Sequence, residues 1–328
     1  MLNVQIDTVR DFEKFVLRDI NEFKKLGFVF TSYKQWETKY CQQSKELLEK
    51  SKQEKESLYK QHIIYEYSNL RERLIPIRPR EIVYSKNFII NPKYKEGLKS
   101  LERKIQNGED LTTHLSRKIF QADFSDGLLF DFGIYHLHLG ILPDKNHPKL
   151  VQGYKDVLYA VFTDDKAFFI RIDDHRNWAN LDLLKIVQQE FPQILEKWEL
   201  QGILSMSSYP TEKERLELRK AGINAPIAIN GKYYISPGGG MNTAKTSSNG
   251  VLKMNTHYHF YEKIDSQIKQ FFDKYNQEIQ EKTNLHGNLT FQMSNISPME
   301  FVDKKNKIRL IPKIQNYHLI EINLQSFA

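Results

Sequence analysis

Cysteine is nearly absent from this chain: Cys41 is the only one in 328 residues. That rules out a disulfide framework within the chain and any multi-cysteine zinc site. Long apolar runs are missing too, and no window approaches the roughly 20 residues needed to cross a bilayer. The N-terminus has neither the cationic start nor the apolar stretch of a secretion leader. A cytoplasmic protein without membrane contact is the expectation. Glycine and proline disappear between Tyr33 and about Arg73, where Lys, Glu and Gln crowd the middle and apolar positions thin to Leu47, Leu48 and Leu58. This composition predicts a long charged helix, solvated in its middle and packed at its ends, shaped as a projecting arm or a helical hairpin.

Hydrophobic residues make up 40% of the chain and aromatics 12%, enough for a folded core. The formal net charge is +7, which favours a polyanionic partner because clustered Lys and Arg gain affinity by releasing phosphate counterions. Nucleic acid is the first choice, RNA ahead of DNA.

The stretch that organises the rest is Asp131 to Gly140, together with the residues from there to His175. Tyr135, Leu137 and Leu139 alternate with His136 and His138, as on an extended strand. Two more strand-like runs come next, Val157–Phe162 and Ala167–Ile172, joined through the turn Thr163-Asp164-Asp165-Lys166. Together they predict a three-stranded antiparallel meander. One face should be apolar and the other should carry His136, His138 and Arg171, with His175 at the rim. Just before it, residues 112–120 hold His114, Arg117 and Lys118, placed to turn toward that polar face.

Elsewhere, a helix over 7–26 is signalled by Val9, Phe12, Phe15, Val16, Ile20 and Phe23, with Asp7 or Thr8 as cap. Prolines at 76 and 79 break the charged helix before a strand at Glu81–Tyr84. A second helix opens at Asn91-Pro92 and stops at Gly108. Asn177 or Asn180 can cap a helix through Leu183 to Phe191. Ile227–Ile235 reads as a hairpin turning at Asn230-Gly231. A strand is expected from Val251 to about His259, then a helix to about Lys282. Further strands are expected at 289–291, 308–311 and 317–322. The overall expectation is an α+β chain with an antiparallel sheet core, divided as a helical region over 1–78, a central domain over 79–205 and a C-terminal α+β portion over 206–328.

Two histidines at i, i+2 on a strand project the same way, so both can reach one substrate or one metal ion. A metal would need more ligands, and His175, Asp173 and Asp174 are available. The alternative is metal-free cleavage of RNA, in which a base takes the 2′-OH proton, a cation holds the oxyanion and an acid protonates the leaving oxygen. Histidine titrates near neutrality and Arg171 suits a phosphate. A third account makes the histidines structural. A second His-x-His, His257 and His259 with Lys253 in alternation, is a further candidate on the expected strand. The loop Gly239–Thr246 comes within one residue of a phosphate-binding pattern, with Ala244 where its second glycine belongs. Residues 247–250 read as turn formers, which denies that loop a following helix; it is expected to meet phosphate only through backbone amides and Lys245.

Residues 131–180 resemble the core meander of RelE/ParE-type toxins, on the strength of Tyr135–Gly140, the two later runs and His175-Arg176. The resemblance implies a compact sheet flanked by helices and metal-independent cleavage of messenger RNA by basic side chains. Residues 80–178 also resemble a broadly distributed, uncharacterised bacterial family. The reading adopted is therefore an RNA-directed toxin or antiviral-defence protein, an endoribonuclease using His136, His138, Arg171 and His175 with no metal and no cofactor. Arg117, Lys118, Lys245 and Lys253 would bind nucleic acid. An antitoxin or partner subunit, and self-assembly through the helical arm, belong to that picture. The competing class is a non-catalytic nucleic-acid-binding or assembly subunit.

Overall fold

The computed structural model describes residues 2–175, 178–203 and 208–327. The chain is α+β, with antiparallel sheets and a helical N-terminal region. It forms two compact units: residues 27–251 make one, and the two ends, up to residue 26 and from residue 252, make the other. This division differs from the three consecutive segments read in the sequence. Leu2–Gln5 pairs in parallel with Gly287–Thr290, which draws the first residues to the last hundred. The boundary expected near 206 lies outside the described residues.

The terminal unit begins with β1 (Leu2–Gln5) and α1 (Thr8–Lys25). Asp7 caps α1 by accepting from the Arg10 amide at 2.9 Å, and the predicted stripe of Phe12, Val16 and Ile20 is buried.

The larger unit opens with α2 (Tyr33–Tyr40), α3 (Lys45–Leu48) and α4 (Lys52–Arg73). The single long helix expected here is broken at Ser44 and Ser51, whose hydroxyls accept from the amides of Leu47 and Glu54 and start new helices. The hairpin form is the one adopted, with Tyr33 and Trp36 of α2 against Tyr59 of α4.

Next come β2 (Glu81–Tyr84), α5 (Lys95–Asn107), α6 (Gly127–Phe132), β3 (Tyr135–Leu137), β4 (Asp156–Phe162) and β5 (Lys166–Asp174). The predicted meander is present as β3-β4-β5, and β2 extends it by pairing in parallel with β5. Gly108 stops α5 in the left-handed region at φ 68°, as its position predicts. α7 (Asp182–Glu190), α8 (Glu212–Lys220), β6 (Ile227–Ile229) and β7 (Lys232–Tyr234) follow, and Asn230 and Gly231 make the β6-β7 turn with positive φ. The cap proposed at Asn177 lies outside the described residues; Asn180 Oδ1 accepts from the Asp182 amide at 2.7 Å.

The central sheet departs from the one-wet-face expectation. Val157, Tyr159, Val161, Phe168 and Ile170 form one buried cluster with Leu183, Leu184 and Val187 of α7. Leu137, Leu158 and Phe169, alternating to the opposite face, are buried as well. The histidines therefore stand at the end of a doubly covered sheet, because α7 supplies the apolar partner that the sequence pattern left unassigned. Nearby, the buried Asp131 carboxylate of α6 meets Arg219 at 2.8 Å, Arg215 at 3.3 Å and the Ser236 hydroxyl at 2.8 Å, tying α6 to α8 and to the segment after β7.

α9 (Ser248–Thr283) overturns the strand expected at 251–259, and its helical geometry breaks only at Tyr275. The terminal unit ends with β8 (Gly287–Thr290), β9 (Gln292–Ile296), β10 (Met299–Asp303), β11 (Ile308–Gln315) and β12 (His318–Ser326), the last four ordered β12-β11-β10-β9.

Candidate metal centre

β3 is short, and its continuation is fixed by backbone contacts on both sides. The His138 amide donates to the His114 carbonyl at 2.8 Å, and His114 Nδ1 donates back to the His138 carbonyl at 2.8 Å. Lys104 Nζ lies 3.3 Å from His114 Nε2, which makes that nitrogen the acceptor and fixes the Nδ1–H tautomer. Burial, partly opposed by the bond to the His138 carbonyl, lowers His114 to a pKa of about 4, so its ring is neutral. Gly97 of α5 lies so close to the Leu139 carbonyl that a Cβ there would overlap it. Gly140 stands equally close to Gln152. The segment after the strand is thus held between α5 at Gly97 and the Gln152 backbone at Gly140, two positions with no side chain to spare.

On the meander, His136 pairs with Tyr159 and Tyr159 with Arg171, so these three occupy one row across the strands. His175 follows β5, its amide bonded to the Lys155 carbonyl at 2.9 Å, which prolongs the β4-β5 ladder by one rung. The result brings His136, His138 and His175 together. Their ring centroids are 5.1 Å apart for His136–His175, 5.3 Å for His138–His175 and 6.1 Å for His136–His138. One ring nitrogen from each lies within 4.8 Å of the others. Among the described residues this is the one such cluster of three or more potential ligands.

Three nitrogens decide what the cluster is suited to. His136 Nε2, His138 Nδ1 and His175 Nε2 are buried and make no hydrogen bond. An unmade bond at a buried polar atom costs about 1–3 kcal/mol, and native interiors seldom tolerate several in one place. No family model, curated protein or solved structure matches this chain. The site has to be read from its own chemistry.

Burial, with the neighbouring His175, pushes His136 down to a pKa of about 3. Burial, then His136 and His175, does the same to His138, and burial lowers His175 against the pull of Asp174. All three rings are neutral near pH 7, each with a lone pair available. A tetrahedral ion with bonds of about 2.1 Å sets its nitrogens about 3.4 Å apart, so the rings would need to close in by up to about 1.4 Å. The residues fit a three-imidazole metal site.

Two cavities meet at these rings. One, of about 610 Å³, is bordered by His138 and His175 together with Arg117, Tyr154, Lys155 and Asp174. The other, of about 580 Å³, is bordered by His136, His175 and Trp178, with Lys118 and Lys245 also on its wall. Three of the four residues assigned to nucleic acid thus lie around the histidines. Lys253 borders neither cavity and belongs to α9 in the terminal unit. Arg171 is engaged by Asp173 at 2.9 Å and is not among the residues bordering either cavity. Asp174, weighed as a ligand in the sequence, is paired with Lys155 at 3.3 Å.

The second His-x-His does not form a site. On a helix, residues two apart point about 200° away from each other. His257 accordingly packs on Phe12 at 5.6 Å, while His259 is exposed beside Glu262. The glycine-rich loop is also corrected: a helix does follow it, beginning at Ser248. The amides leading into and opening that helix are already taken, Ser247 by Asn69, Ser248 by the Gly240 carbonyl and Gly250 by the Ser247 hydroxyl, so none of these three is left for phosphate.

Trp178 is the neighbour of the cluster that sequence reasoning missed. Its ring lies 4.9 Å from His136 and 4.7 Å from His175, edge-on to both. A tryptophan three residues beyond the last histidine was the available signal.

Proposed function

We propose that His136, His138 and His175 hold a divalent metal ion and that the protein is a metal-assisted hydrolase of phosphate esters, with RNA as its substrate. The observation that carries this reading is the gathering of three imidazoles, with one nitrogen of each within 4.8 Å of the others, in which every ring also holds a buried nitrogen without a hydrogen-bond partner. A metal-free acid–base pair would need each ring turned to the substrate and one proton shared with it. Three ring nitrogens gathered within 4.8 Å suit a common ligand better, and this is where the reading departs from the metal-independent chemistry inferred from sequence. Three protein ligands and an open position are also the arrangement of catalytic zinc sites.

Such an ion would polarise a phosphoryl oxygen and supply a hydroxide at neutral pH. The chain's own part is to bind and orient. Arg117 and Lys155 on one side, and Lys118 and Lys245 on the other, offset the charge of a polyanion laid across the rings. His114 holds the His138 peptide in place, and Trp178 packs edge-on against the His136 ring. Hydrolysis adds the elements of water across one P–O bond and requires no other reactant.

The test is direct. Purified protein equilibrated with zinc or manganese is expected to retain one ion per chain, and His136→Ala or His175→Ala to retain none while melting cooperatively. RNA should be cut by the loaded protein and spared after chelation. Stoichiometric metal without cleavage would leave a metal-bearing binding protein. Cutting in the presence of EDTA, or no retained metal, would defeat the reading.

A further inference from the structure

The two cavities that share the histidines differ in character. The one beside His138 is polar, with Arg117, Lys155, Asp144 and Asp174 on its wall. The one beside His136 is mostly apolar, lined by Phe124, Leu128, Trp178, Leu216 and Met241. Lys118, Lys220 and Lys245, all exposed, stand around that apolar hollow. A greasy space ringed by cations, opening beside a candidate metal centre, fits a ligand that is flat and apolar at one end and anionic at the other.

We infer that the apolar cavity is a base-binding subsite: it receives the nucleobase of an unpaired ribonucleotide whose phosphate lies at the histidines, while the strand continues into the polar cavity. The inference rests on the metal-centre reading for where the phosphate sits, and it adds what selects the substrate. Base contacts with aromatic and apolar side chains tolerate any sequence, because every base has an apolar face. A paired base cannot enter, so single-stranded RNA is the class recognised.

The experiment compares adenosine 5′-monophosphate with ribose 5-phosphate, by calorimetry, on zinc-loaded and chelator-treated protein. The loaded protein is expected to bind the nucleotide ten- to a hundredfold more tightly. Leu216→Glu, which puts a charge into the half-buried wall on α8, should abolish that preference and leave metal content unchanged. Ser125→Phe, which fills the same space without charge, should do the same. Equal affinity for both ligands on loaded wild-type protein would overturn the inference, as would a preference that survives both variants. If no metal is retained but the preference exists and both variants remove it, the subsite stands and the metal reading falls.

Discussion

Replacing Gly97 with alanine separates two opposing effects by sign alone. Inside a helix, that exchange ordinarily stabilises by roughly 1 kcal/mol, since alanine loses less chain entropy. Here a Cβ would overlap the Leu139 carbonyl oxygen and stand 2.7 Å from the carbonyl carbon, against 3.4 Å or more for ordinary contact. α5 must therefore back away from the strand by at least 1 Å. Leu98, Leu101 and Ile105, each at 1% exposure or less, pack from that helix. Burying such side chains is worth about 1.5–3 kcal/mol apiece, and a gap of that size forfeits a quarter to a half of the contact energy. The loss is then roughly 1–4 kcal/mol, and the net expectation is destabilisation by about 2 kcal/mol. Urea unfolding of the purified protein measures it. Because Leu139 follows His138 directly, zinc affinity should fall about tenfold in the same variant. A Gly97→Ala protein as stable as wild type, or more so, would refute the close approach and with it the account of how the histidine strand is seated.

Two further outcomes follow from buried charge. Asp131→Ala leaves Arg215 and Arg219 facing each other in a buried space, and thermal melting should register a loss of about 3–5 kcal/mol; a change under about 1 kcal/mol would mean the group is better hydrated than its burial implies. Glu66 accepts from the Thr31 amide at 2.9 Å and from the Thr31 hydroxyl, the bond that valine would lack, and lies 3.0 Å from His62. Burial alone would raise its pKa, but the bonds from His62 and Thr31 outweigh burial and hold it below the usual glutamate range. A depressed folded-state pKa gives stability that is present above the unfolded value and drains away as pH falls through the folded one. Thr31→Val should therefore cost stability at pH 7, and the gap to wild type should narrow as pH drops below about 4; a gap constant across that range would contradict the assignment.

The sequence announced its strongest local signals faithfully. Alternation placed Tyr135 through Leu139 on a strand, Asn230-Gly231 made its turn, and Gly108 ended α5. The union of His136, His138 and His175 was partly visible, since two residues apart on a strand share a face. What was hidden depends on tertiary packing. Val251 to His259 alternates well enough to pass for a strand, yet the apolar positions from Ile264 to Phe272 continue it as one helix. Arg171 carried the right chemistry, but Asp173, two residues on along the same strand, takes its charge. That the histidine nitrogens go unpartnered is a matter of what does not approach them, and no spacing of residues can announce an absence.

The parallel pairing of Leu2–Gln5 with Gly287–Thr290 sets an order of events for a chain emerging from the ribosome. The opening strand finds its mate only after nearly three hundred more residues have been made, so until then its neighbour Phe12 and the rest of that helix's oily stripe have no home. Residues 27–251 precede that mate and can close around their own centre. The later strand then collects the earlier one, and deleting residues 2–5 would leave Gly287–Thr290 with an open edge.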